Sequence, residues 1–199
     1  MAVIAIITLL PLCAEDFFCG RDVLIEFKGA YFLPTGSRFR KIYGGSALYG
    51  PELTVQLFEE CNWYGFLSVD YYHKKGHSIG LHTPTKISLL PIGVGLKYFV
   101  PSCYECADFY VGLGFQPIRA HIRNCSPFVV PRETKWVFGG IAKVGTYIYL
   151  PRNFFLDLFI DYSFASISSH RTMVPTGPII PLRASISGAI FGAGIGYRF

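Results

Sequence analysis

The sequence predicts an all-β protein, an eight-stranded antiparallel up-and-down transmembrane β-barrel over residues 15–199, preceded by a short signal-peptide segment at 1–14. Three observations lead there. Apolar residues make up 51% of the 199-residue chain and aromatics 17%, yet no uninterrupted apolar run approaches the ~20 residues of a spanning helix. Apolar residues recur at every second position in eight separate stretches, the period of a strand with one apolar face. Long and short connections between these stretches alternate, and 21 Gly and 13 Pro supply the turns.

Taken in order, Ala2 to Leu12 is an apolar run followed by Cys13-Ala14-Glu15-Asp16. This reads as the core of a secretory signal with cleavage after Ala14. The basic residues that normally precede such a core are missing, which suggests a start further upstream. Leu12 stands where a lipoprotein signal needs a small residue, so Cys13 is not read as a lipid anchor. Strand one, Asp22 to Leu33, sets Ile25, Phe27, Tyr31 and Leu33 against Leu24, Glu26, Lys28 and Ala30. A basic loop through Arg38, Arg40 and Lys41 follows. Strand two, Ala47 to Phe58, sets Tyr49, Leu53, Val55 and Leu57 against Glu52, Thr54 and Gln56. After a tight turn at 59–62, strand three, Trp63 to Tyr72, sets Leu67, Val69 and Tyr71 against Phe66, Ser68 and Asp70.

A second basic loop, His73 to Lys86, leads to strand four, Ile87 to Val100, with Val94, Leu96 and Tyr98 opposed to Gly93, Gly95 and Lys97. Strand five, Asp108 to Ile118, has Phe109, Val111, Leu113 and Phe115 on its apolar face. A third loop, Arg119 to Thr134, contains two prolines. Strand six, Lys135 to Leu150, sets Val144, Thr146 and Ile148 against Lys143, Gly145 and Tyr147; after Pro151-Arg152-Asn153, strand seven, Phe154 to Phe164, sets Leu158 and Ile160 against Asp157, Phe159 and Asp161. The longest loop, Ala165 to Ala184, precedes the last strand, Ser185 to Phe199. There Phe191, Ala193, Ile195, Tyr197 and Phe199 alternate with glycines and Arg198.

Each stretch meets the ~9–11 residues a tilted strand needs to cross a bilayer. An unpaired charge facing lipid near the midplane costs roughly 2–4 kcal/mol, so the face carrying Glu26, Lys28, Glu52, Asp70, Lys97, Lys143, Asp157, Asp161 and Arg198 must point inward. Eight strands leave an interior that side chains just fill, which predicts a salt-bridged polar core. A narrow small-solute pore is the alternative, given the inward glycines. Trp63, Tyr98, Phe109, Trp136, Phe154, Tyr162 and Tyr197 fall near strand ends, where aromatic girdles form.

The last strand resembles the C-terminal signal of bacterial outer-membrane β-barrels, with Phe199 final and Ile195 and Tyr197 at every second position before it. The whole mature chain resembles the small eight-stranded barrels of the OmpA, OmpX and opacity-protein kind. This implies an integral outer-membrane location with periplasmic termini, a setting of outer-membrane lipid and lipopolysaccharide, and an assembly machinery that reads the last strand. On that orientation twelve of the eighteen Lys and Arg, but one of the thirteen Asp and Glu, fall in the long external loops or at their strand edges. Arg38, Arg40, Lys41, Lys74, Lys75, Arg119 and Arg123 are the candidate polyanion-binding residues, for lipopolysaccharide phosphates or acidic host-surface glycans. All five histidines share these loops. Plain solvation of polar loops is the competing reading.

Six cysteines suit an oxidising compartment. Cys19, Cys61, Cys103 and Cys106 sort to the periplasmic end and are candidates for disulfides, with one another or with neighbouring envelope proteins; so many cysteines in a barrel resemble the disulfide-linked envelopes of chlamydiae. Cys103-x-x-Cys106 has no strand-helix context of a redox motif and no second ligand pair for zinc. No catalytic residue, cofactor, metal or nucleic-acid partner is expected. Gly192-x-Gly194-x-Gly196 precedes no helix, His73-x-x-x-His77 lacks a helix and an adjacent Glu, and in Ser168-Ser169-His170 the adjacent Ser and His of a strand point to opposite faces.

Overall fold

The computed structural model describes residues 21–58, 61–77, 84–100, 106–124, 132–171 and 180–199. The expected signal segment, Cys19, Cys103 and the tips of several connections lie outside them. Among the described residues ten strands form: β1 (Val23–Pro34), β2 (Ser46–Gln56), β3 (Trp63–Val69), β4 (Tyr71–His77), β5 (Pro84–Val100), β6 (Ala107–Asn124), β7 (Arg132–Tyr149), β8 (Phe154–Arg171), β9 (Ile180–Ser185) and β10 (Gly188–Arg198). An α-helix, α1 (Ser37–Tyr43), lies between β1 and β2.

Every neighbouring pair is antiparallel, and β1 pairs with both β2 and β10, so the sheet closes on itself. Strands β3 and β4 share one position in the wall, between β2 and β5, interrupted at Asp70. Eight strand positions therefore make the barrel, and β9 is an added strand on the end of β8. Closure removes the unpaired edges that no strand could leave in lipid. At the end holding both termini, the backbone N–H of Phe199 donates to the carbonyl of Val23 at 2.9 Å, and Arg198 forks onto Asp22 at 2.6 and 3.1 Å.

The alternation sorts faces as expected. Outward positions remain exposed although apolar, among them Leu113 (73%), Phe138 (67%) and Ile160 (60%). Inward positions are buried. A continuous outward belt of this kind is tolerable only against lipid. Aromatics edge it at both ends: Trp63 against Tyr98, and Phe154 with Tyr197 and Phe199, at the terminal end, and Trp136, Phe164 and Tyr71 towards the opposite rim.

Departures from the sequence reading concentrate at that rim. The first basic loop is α1, whose Phe39 and Tyr43, four residues apart, share one face. Phe39 is buried against Phe32 and Tyr72, and the Tyr43 hydroxyl meets that of Thr85 at 3.1 Å. The helix thus packs over the mouth of the lumen. The described parts of the second and third basic loops are strand. Lys74 and Lys75 lie on β4, and Arg119 and Arg123 on β6, because β4 to β8 run on well past the apolar belt. Beyond the belt both faces of a strand are free to be polar, and the alternation that marks a strand in sequence disappears.

Candidate functional site: lumen and basic rim

The lumen is stacked in layers. At the terminal end Tyr64, Phe99, Tyr110, Tyr147 and Phe155 form an aromatic floor with ring centroids 4.6–5.7 Å apart. Above it lies an ion cluster. Glu52 is its hub, meeting Lys28 at 3.1 Å, Lys143 at 3.0 Å and Lys97 at closer range. Lys28 also reaches Glu26 at 3.3 Å and Asp157 at 3.0 Å, and Lys143 reaches Asp161 at 2.8 Å. Hydroxyls complete the network. Lys97 donates to the Tyr147 hydroxyl at 2.8 Å, which donates on to Glu26 at 2.8 Å, while Tyr110 donates to both Asp157 oxygens at 3.1 Å.

Burying charge is costly unless each group is paired and hydrogen-bonded; the lysines are all paired with carboxylates, and hydrogen bonds complete the pairing at Lys97 and Lys143, whereas Lys28 Nζ is held by ion pairs alone. The register explains the need: Glu26 and Glu52 stand directly opposite each other on β1 and β2, a like-charged pair that Lys28 and Lys97 neutralise. Gly95 and Gly114 leave space for the Phe66 ring. A Cβ at Gly114 would lie 2.7 Å from Phe66 Cζ and 2.7 Å from the Val94 carbonyl oxygen. Towards the rim the lumen turns apolar, with Phe32, Leu48, Tyr72, Leu89, Ile118, Ile186 and Ile190 around a cavity of ≈ 20 Å³, room for about one water.

Of the nine interior charges expected, seven form this cluster or border it closely: Glu26, Lys28, Glu52, Lys97, Lys143, Asp157 and Asp161. Asp70 is buried at the break between β3 and β4 and makes no ion pair among the described residues. Arg198 corrects the expectation, since its side chain sits at the mouth beside Asp22 and is 42% exposed. It is the last residue of β10, and its inward face opens to solvent there. The sequence named the charges but not their partners Tyr110, Tyr147 and Thr54, to whose hydroxyl Lys97 also donates at 3.4 Å; tyrosines on the polar face were the available signal.

On the outside of the rim, cross-strand register assembles a basic row. Lys75 on β4 faces Lys86 on β5, Lys86 faces Arg123 on β6, and Arg123 faces Arg132 on β7. Lys75, Lys86 and Arg123 are exposed and form no ion pair among the described residues. Two residues down each strand runs a row of hydrogen-bonding side chains, His73, Ser88, His121 and Thr134. His73 Nδ1 lies 3.0 Å from Ser88 Oγ and His121 Nδ1 lies 2.8 Å from Thr134 Oγ1. Arg123 Nε donates to His121 Nε2 at 3.2 Å. Two further down, Leu90, Arg119 and Trp136 share the next row.

Of the expected basic residues, Lys75, Arg119 and Arg123 come together on this wall. Arg38, Arg40 and Lys41 lie apart on α1, and Lys74 is half-buried on the inward face of β4. Lys86 and Arg132 complete the row although they were not among the candidates, because register is not visible in one strand's sequence. Cys61 and Cys106, at the terminal end, are exposed and form no disulfide among the described residues. Ser168, Ser169 and His170 fall on β8, opposite Arg183, Leu182 and Pro181 of β9. Gly192, Gly194 and Gly196 lie on β10.

No protein-family model matches the chain, and no curated protein matches it. Solved structures do. The chain is similar to the outer membrane protein OprG of Pseudomonas aeruginosa, with TM-score 0.69 and 16% identity over 89% of this chain and 95% of that one. For outer membrane protein W of E. coli the values are 0.60, 16%, 89% and 97%. For Neisserial surface protein A they are 0.55, 15%, 90% and 97%. These likenesses give no support to a chlamydial origin. Together with the lipid-facing belt and the closed wall, they show that this chain has the fold of the small eight-stranded integral outer-membrane β-barrels.

Proposed function

We propose that this protein is a surface-interaction barrel of the outer membrane, with its termini in the periplasm and its basic rim outward, binding polyanions such as lipopolysaccharide or acidic host glycans. One observation carries the reading: the row Lys75, Lys86, Arg123 and Arg132 across four adjacent strands. Like charges directly opposite in a sheet are destabilising, so a run of them is a cost that an anionic ligand offsets. Arg40 and Lys41, exposed on α1, extend the positive field over the mouth. The packed lumen supports a role that depends on the surface rather than on conduction or catalysis. The last strand, through Ile195, Tyr197 and Phe199, serves recognition by the barrel-assembly machinery, and the terminal-end cysteines serve disulfides within the envelope.

Retention of the purified, folded protein on heparin at stepped salt tests the reading. Wild type is expected to bind at low salt and to elute as salt rises, since exposed charges are screened beyond about 8 Å at physiological ionic strength. A variant with Lys75, Lys86, Arg119 and Arg123 all changed to Glu should pass through unretained while still folding. Equal retention of the two would leave the rim as ordinary solvated surface.

A further inference from the structure

We propose that the outward wall of β4 to β7 is a docking site for the headgroup of a multiply phosphorylated glycolipid of the lipopolysaccharide class, held in the leaflet beside the barrel. The inference rests on the polyanion reading above and adds where the anion sits and to what it is attached.

Height is the first argument. The row of Leu90, Arg119 and Trp136 adjoins the apolar belt of Ile92, Phe115 and Phe138. Successive rows are two residues apart, roughly 7 Å along a strand, or about 5 Å in height at the tilt of such barrels. Along each strand, the residue of the His73, Ser88, His121 and Thr134 row thus lies about 5 Å above the outward residue two positions nearer the belt, and the cation about 10 Å above it. That is the level of headgroups belonging to lipids whose chains lie on the belt. A soluble polyanion would meet the cations but leave the rows beneath them unused. A lipid-anchored phosphate matches all three.

One-sidedness is the second. Among the described side chains on the opposite side of the barrel, the outward residues approaching the rim are Tyr31 and Leu33 on β1, Phe164 on β8 and Phe191 on β10, all exposed and uncharged. General attraction to a charged leaflet would not need Lys75, Lys86 and Arg123 gathered on three neighbouring strands. Those strands span about 10 Å at the usual 4.8 Å spacing, wider than one phosphate, so the headgroup carries more than one.

The third is the way Arg123 is held. Its Nε is occupied by His121 Nε2, and His121 Nδ1 faces Thr134 Oγ1. With Nε2 accepting, Nδ1 carries the proton and donates to Thr134. The two terminal guanidinium nitrogens have no partner among the described residues and remain available as a fork for phosphate oxygens. Lys75 and Lys86 supply point charges beside it. His121 is a positioning residue, acting through Arg123.

The full chain, reconstituted in phosphatidylcholine vesicles doped with bisphosphorylated lipid A or with the same lipid dephosphorylated, provides the test. Lipid co-purifying after mild detergent extraction is measured by native mass spectrometry, and heparin retention is measured in parallel. Wild type should retain the bisphosphorylated lipid at least tenfold over the dephosphorylated form. K86E/R123E should lose that preference, whereas R40E/K41E should keep it within twofold. H121A should weaken lipid A retention severalfold, with H121Q, which can still accept from Arg123 Nε, restoring most of it. Equal retention of the two lipids by wild type, with heparin binding intact, overturns the wall site and spares the polyanion reading. Failure of wild type to bind either heparin or lipid A overturns both.

Discussion

The two sets of basic residues in this barrel obey opposite rules. Lys28, Lys97 and Lys143 are buried in the lumen, and each contacts carboxylates on other strands. Lys75, Lys86 and Arg123 are exposed on the rim and stand opposite one another with no carboxylate between them. Solvent access accounts for the difference. Inside, an unpaired amine would bear the full cost of desolvation, so selection for folding enforces pairing. Outside, water and salt screen repulsion to a fraction of a kcal/mol per contact, and a like-charged row survives if something rewards it. A paired interior is therefore evidence about stability, and an unpaired rim is evidence about binding.

The largest expected effect comes from breaking the interior at its hub. Glu52→Gln leaves Lys28, Lys97 and Lys143 sharing only Glu26, Asp157 and Asp161. Removing one partner of a buried ion pair typically costs about 3–5 kcal/mol. Equilibrium urea unfolding in lipid vesicles, followed by the gel shift between folded and boiled barrel, should register a loss of that order. A loss under about 1 kcal/mol would mean that water reaches the cluster and that the lumen is not the packed interior described above.

Much of this interior was legible in the sequence, and the rim was not. Period-two alternation gave the inward face because lipid on one side and packed side chains on the other impose contrasting chemistries on successive residues. It identified Glu26, Lys28, Glu52, Lys97, Lys143, Asp157 and Asp161. Past the belt that contrast vanishes, so β4, the start of β5, the end of β6 and the start of β7 read as loops. Arg38-Phe39-Arg40-Lys41 read as loop too, since a seven-residue helix gives only one apolar pair, Phe39 and Tyr43. The basic row is a property of register across four strands. Register follows from how the strands stagger on closure, which no single segment records.

A smaller effect separates the two faces of one wall. Gly114 points inward, and Gly114→Ala would place a methyl 2.7 Å from both Phe66 Cζ and the Val94 carbonyl oxygen. Overpacking of this kind typically costs about 1–3 kcal/mol. Gly29 lies on the outward face of β1, where an added Cβ meets nothing within 4 Å. Gly29→Ala should be neutral or should stabilise by about 0.5 kcal/mol through lower freedom of the unfolded chain. Similar losses for both, measured by the same unfolding assay, would contradict the assignment of the two faces.

The smallest effect bears most directly on the rim. Lys86 stands between Lys75 and Arg123, so Lys86→Glu turns two like-charged cross-strand contacts into two opposite-charged ones. Each such pair contributes roughly 0.2–1 kcal/mol, reduced by solvent screening at this exposed position. The variant should therefore unfold at slightly higher urea than wild type, with the gain shrinking as salt is added. Its retention on heparin should fall at the same time. Opposite movement of stability and binding from one substitution is what a row kept for its ligand requires, because the native lysine then costs stability and contributes affinity. If Lys86→Glu destabilises the barrel, the row is held by contacts other than the register describes. If it stabilises but binds heparin as wild type does, the basic rim has some other role than polyanion binding.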